Sequence, residues 1–186
     1  MGLFGSPQQK WIKKHIGTPW NMMFTGFGED DVMITKLMVY ACVSFADNLL
    51  SSGLFAGENL AIRSESILLA KMQFYHLVTK SATVHNTFYG YVHELWTNHY
   101  HEDLETANLA LDRMHSQEKL YLSLYYDFYN RKEGSLAPVL KAFCNSAKRN
   151  QISGGEPILT CSAEELQECA AKLLMDMHIE FMAEMR

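Results

Sequence analysis

The chain has 186 residues, 48% of them apolar and 20% charged, the proportions of a globular protein that can bury a core without disulfide or metal staples. Its net charge of −5, with only four prolines and eleven glycines, excludes a globally basic nucleic-acid binder and a collagen-like or low-complexity polymer. Length alone points to a single domain over 1–186.

Ser6, Pro7 and Gln9 supply an N-cap, a proline at the first helical position and a capping-box glutamine, opening a short helix that Gly17 and Pro19 stop. Met1-Gly2 through Ser6 also fits an N-terminal acylation pattern, with Lys10, Lys13 and Lys14 behind it. Pro7 breaks the extended peptide that such modification needs, so the reading favours an ordinary capped start over membrane anchoring. Residues 18–29 form a loop rich in aromatic and small side chains, expected to pack on the core as a lid.

Residues 30–52 read as a long helix whose polar positions Lys36, Tyr40, Ser44, Asp47 and Ser51 make one narrow stripe; the rest is apolar, so neighbours should enclose it. It ends at Gly53. The most apolar window, 32–50, contains Lys36, Asp47 and Asn48 and is too broken for a bilayer span of about 20 apolar residues. A second helix spans about 58–80, with Leu60, Ile67, Leu68, Phe74, Tyr75 and Val78 inward and Arg63, Gln73 and Lys80 outward. Residues 82–100 read as a helix with a break near Gly90, although 87–95 is aromatic and β-branched enough to compete as a strand. No second strand of similar strength exists to pair with it.

Residues 102–132 are strongly periodic, with Leu104, Ala107, Leu111, Met114, Tyr121, Tyr125 and Phe128 on one side, as one helix or two split near Ser116. Ser135 caps the next helix, which turns Leu136, Leu140, Phe143 and Ala147 to one face. The segment 150–161, with Gly154, Gly155 and Pro157, is an internal linker. Ser162 and Glu165 then form a capping box that opens an acidic last helix with Leu166, Cys169, Leu173, Met177 and Phe181 as its buried stripe. Seven acids against Lys172 and Arg186 give 156–186 a charge of −5 and leave the remainder neutral. The expected fold is therefore all-α, about six or seven helices in one compact domain around the 30–52 helix.

Cys42, Cys144, Cys161 and Cys169 show no CxxC spacing and read as free thiols in a reducing, cytoplasmic setting. Complete catalytic constellations are missing: there is no GxSxG elbow, P-loop or GxGxxG. Eight histidines occur, four of them between 85 and 101. His101 and Glu105 stand four apart, so one helical face could carry both as ligands of Zn or Fe, with His93 or His115 added by the fold. Asp112 and His115 have the carboxylate-x-x-His spacing of di-iron bundles, but no second copy of it exists. His93-Glu94 misses the HExxH motif at its last position. The tyrosines at 121, 125, 126 and 129 form an aromatic stripe that suits a core, or the wall of a small-ligand cavity.

By elimination, the expected function is non-enzymatic binding through a protein partner, with a homodimer through an apolar helix face as one form of it. The alternative is a metal- or small-ligand-binding bundle built on 93–115. Nucleic acid is not an expected partner, because the only basic concentration, Arg131-Lys132 with Lys141 and Lys148-Arg149, lacks a helix-turn-helix pattern.

Overall fold

The computed structural model of the chain describes residues 30–56, 60–77, 82–98, 100–130, 136–149 and 159–184. The expected N-terminal helix, the aromatic loop at 18–29, the Ser135 cap and residues 150–158 of the linker lie outside the described residues. Within them are six helices: α1 (Asp30–Leu50), α2 (Leu60–Leu77), α3 (Ala82–Asn98), α4 (Leu104–Asn130), α5 (Ala137–Arg149) and α6 (Ala163–Glu184). The all-α expectation is met, and the only extended pairing among the described residues is an isolated antiparallel bridge between Phe55 and Leu159.

The helices pack as a central pair inside an open ring. α1 lies along α2 and also touches α3 and α6, whereas α2 touches α4 and α5. The outer helices meet in sequence order, α3 with α4, α4 with α5 and α5 with α6. The hydropathy of the central pair dictates this. In α1, Met38 to Val43, Phe45, Ala46 and Leu49 are all buried, leaving only a narrow strip with Lys36, Ser44, Asp47 and Asn48 to reach water. In α2, Ile62 and the run from Ser64 to Met72 are buried as well. The sequence reading of one enclosed helix becomes two.

Local chemistry sets the ends. α1 closes through Ser51 N–H to the Asp47 carbonyl at 2.9 Å and Ser52 N–H to the Leu49 carbonyl at 3.2 Å. Gly53 then takes φ +79°, with open space where a Cβ would stand. The chain beyond it is pinned to the entry of α6 by Thr160 N–H to the Leu54 carbonyl at 2.9 Å and the Thr160 hydroxyl to the Gly53 carbonyl at 3.1 Å. The tail of the expected linker thus ties the end of α1 to the start of α6. The Ser162 box forms as read: Ser162 N–H donates to Glu165 Oε2 at 2.8 Å and Glu165 N–H to Ser162 Oγ at 3.1 Å.

Several orientations differ from the sequence reading. Arg63 is buried rather than outward, held against α1 by its pairing with Asp47. Tyr40, placed in the polar stripe of α1, is also buried. Leu104, expected inward, is largely exposed in the first turn of α4. Among the described side chains of α6, Leu166, Ala170 and Leu174 are fully enclosed, with Cys169, Leu173 and Met177 half-buried beside them; the expected Phe181 lies outside the described side chains. α3 continues through Gly90 without a break, and α4 is one helix through Ser116.

Candidate functional site

Three charged residues of α2 lie in the interior, one answered by α1 and two by α4. Arg63 is paired with Asp47 of α1, while the Tyr100 hydroxyl sits 3.2 Å from its guanidinium and 3.2 Å from Asp47 Oδ2. Glu65 accepts a 2.7 Å bond from the Tyr121 hydroxyl of α4 and lies 3.6 Å from Arg113 Nε. Arg113 also donates to Ser146 Oγ of α5 at 3.1 Å. Lys71, 0% exposed, is paired with Glu118 of α4, and its Nζ stands 4.0 Å from the centroid of Tyr89 and 5.2 Å from that of Phe88.

Burial fixes the electrostatics of this hub. It pulls the Lys71 pKa down, against the opposing pull of Glu118. Burial and then the Glu118 charge push the Tyr89 hydroxyl well above the usual phenol range. Burial, then Glu65, does the same to Tyr121, and burial raises the Cys42 thiol although Lys71 works against it. An interior charge is tolerated only when paired and hydrogen-bonded, and Arg63, Glu65 and Lys71 each have an ion-pair partner and a hydrogen bond. Tyr125 belongs to the same layer, its hydroxyl 3.2 Å from the Leu69 carbonyl. Two members of the tyrosine stripe, Tyr121 and Tyr125, are therefore core, whereas Tyr126 is exposed.

The histidine-rich segment is dispersed by its own local structure. After α3 the chain turns with Tyr100 N–H on the Leu95 carbonyl at 3.3 Å and Glu102 N–H on the Trp96 carbonyl at 3.0 Å. His101 sits in that turn at φ 56°, exposed to solvent. Asp103 is the N-cap of α4: its carboxylate accepts from Thr106 N–H at 2.9 Å and the Thr106 hydroxyl at 2.5 Å, bonds that lower its pKa. Glu105 is exposed in the first turn of α4. His115 lies far along the same helix, its ring 3.9 Å from that of Tyr89. His93 is half-buried on α3. Among the described residues, no three of the His, Cys, Asp and Glu side chains are grouped to hold a metal ion. None of the four cysteines is in a disulfide.

At the surface, an apolar groove of about 240 Å³ runs between the start of α2 and α4, lined by Leu60, Ala61, Thr106, Leu109, Ala110 and Arg113. Leu109 is 63% exposed at its rim. Leu120, about three turns further along the same side of α4, is exposed too. Neither the hub nor the groove was singled out in the sequence. The legible signal was α2 itself, in which Arg63, Glu65 and Lys71 interrupt a largely apolar segment.

No family model, curated protein or solved structure matches the chain. No helix among the described residues is long and apolar enough to cross a membrane.

Proposed function

We propose that this chain is a non-enzymatic helical binding protein of the reducing cytoplasm, acting through a protein partner that docks on the α4 flank. The observation that carries the reading is the groove with exposed Leu109 at its rim and Leu120 beyond it. Two leucines on one side of a helix beside an apolar trough are the anchoring geometry of helix-in-groove recognition. The interior adds support, since the charges of α2 are engaged with those of neighbouring helices, which is a structural use. Cysteines left as thiols suit a reducing compartment.

The test is affinity capture of the full chain from its native host, read by mass spectrometry, beside the Leu109→Glu variant. A protein recovered in near-stoichiometric amount with the wild type and lost with the variant supports the reading. Equal recovery by both, or no stoichiometric protein at all, overturns it.

A further inference from the structure

The groove beside Leu109 is apolar inside and acidic along its rim. Leu60 and Ala61 of α2 and Leu109 and Ala110 of α4 supply its apolar walls. Glu105, four residues before Leu109, and Asp112, three after it, share the outer face of α4 with it, and both are exposed. Among the described residues no cation pairs with either carboxylate. Arg113, the one charged residue in the lining, is turned to the interior: its Nε lies 3.6 Å from Glu65 and its Nη2 donates to Ser146 Oγ at 3.1 Å. That charge is answered within the fold, which leaves the rim negative. Glu105 also has a local use, since an acid in the first turn opposes the helix dipole. Asp112, about two turns further on, has no such use.

We infer that the occupant of this groove is a basic amphipathic helix of a partner protein, an inference that rests on the α4 flank being a docking face. Its apolar side chains enter the groove while Lys or Arg beside them meets Glu105 and Asp112. Size, length and charge select it together. About 240 Å³ is less than the roughly 300–1,000 Å³ of small-molecule pockets and suits a side-chain anchor. Exposed Leu120 extends the apolar line about 16 Å along α4, the length of some three helical turns. Fixed negative charge disfavours nucleic acid and anionic lipid, both of which require a basic face. A second copy docked through the same patch sets these acids against their own counterparts, a like-charge arrangement that opposes association.

Two synthetic helical peptides test the assignment. Each has about 18 residues, five turns, with the same leucine face and either lysine or glutamate on the other. Both are titrated into the full chain and read by fluorescence anisotropy in about 0.1 M salt, where charges within roughly 10 Å still interact. The lysine peptide is expected to bind, and the glutamate peptide to bind at least about tenfold more weakly. Leu109→Ser removes most of the lysine-peptide binding. Glu105→Gln combined with Asp112→Asn weakens it about three- to tenfold, a loss that closes in about 1 M salt. Equal affinity for the two peptides, or a neutralised rim that binds like the wild type, overturns the inference while Leu109-dependent binding keeps the docking face. Lysine-peptide binding that ignores Leu109→Ser lies elsewhere on the chain and overturns it too, as does binding of neither peptide. A wild-type dimer dispersed by Leu109→Ser overturns it as well, because a second copy then covers the groove. The docking face itself stands or falls on the native capture with Leu109→Glu, and circular dichroism reports whether each variant is folded.

Discussion

Lys71 and Glu118 form an ion pair of unequal exposure: the lysine is wholly enclosed, while the glutamate keeps 21% of its side-chain surface in water. The two partners are therefore not equivalent under mutation. With Glu118 gone, Lys71 has Tyr89 and Phe88 against its ammonium but no counter-charge, and a stranded interior charge costs about 3–5 kcal/mol. With Lys71 gone, Glu118 can turn to solvent. We expect Glu118→Ala to lower the unfolding free energy by about 3 kcal/mol and Lys71→Met, similar in volume and apolar, by less than about 1 kcal/mol. Urea unfolding midpoints measure both. Equal losses would mean that the pair is not buried asymmetrically.

His101 occupies the left-handed region, where a residue with a Cβ is disfavoured by about 1–2 kcal/mol, and this defines its part in the fold as a turn residue between α3 and α4. Replacing it by glycine relieves the steric strain while adding some chain entropy to the unfolded state. The expected net change is a gain below about 1 kcal/mol, and β-branched His101→Val should lose stability by a similar amount. Thermal melting of the pair checks it. Two variants that melt together with the wild type would remove the left-handed turn from the account.

The helical fold was legible because it rests on periodicity and caps, which are local. The expected 30–52 and 58–80 helices became Asp30–Leu50 and Leu60–Leu77, and the Ser162–Glu165 box formed with the bonds its spacing implies. Orientation was less legible where a segment lacks a polar side. A charge on an amphipathic helix points outward, but on α2 every residue from Ile62 to Met72 is buried, so Arg63 is interior. For α6, the choice between a stripe through Cys169 and Leu173 and one through Ala170 and Leu174 depends on how α5 and α1 press on it, a non-local fact.

The site was the least legible feature, for a specific reason. Composition reveals that histidines and acids are concentrated between 93 and 115, but not what backbone geometry does with them. Asp103 becomes a helix cap, His101 a left-handed turn residue, and His115 a ring tilted against that of Tyr89. Spacing rules apply only within one helix, and the boundary at 99–103 falls between His93 on α3 and Glu105 on α4. The partners of Arg63, Glu65 and Lys71 lie far off in sequence, at Asp47, Tyr121 and Glu118, which no spacing rule reaches.

Docking on the α4 flank predicts a separation between binding and stability. Leu109 is mostly exposed, and surface substitutions away from special features shift stability by no more than about 0.5 kcal/mol. Leu109→Glu should therefore melt like the wild type while losing its partner. Ala107, fully buried on the same helix and outside the groove lining, should behave in the opposite way: Ala107→Leu overpacks the interior beneath α4, at about 1–3 kcal/mol. Circular dichroism melts of the two variants decide it, and a Leu109→Glu protein that unfolds early would show that Leu109 belongs to the core.

The hub also makes the protein sensitive to alkali, and the sign follows from the direction of each shift. Cys42 and Tyr89 have folded pKa values raised above their ordinary 9.0 and 10.0, chiefly by burial. As pH rises through those ordinary values, the unfolded chain gives up protons that the folded chain retains. The stability these groups contribute is complete below about pH 9 and declines above it, first from Cys42 and then from Tyr89. Lys71 acts in the opposite sense, since its folded pKa lies below the ordinary 10.5, so stability rises with pH as the folded lysine, and then the unfolded one, loses its proton. Single substitutions therefore give the clean comparison. Tyr89→Phe cannot ionise at that position, so between pH 9.5 and about 11 its unfolding free energy should fall less steeply than that of the wild type. Denaturant titrations at half-unit intervals, with the two slopes compared rather than the absolute values, measure the effect. Parallel slopes would mean that the Tyr89 hydroxyl ionises as freely in the folded chain as in the unfolded one, which its enclosure beside Glu118 does not permit.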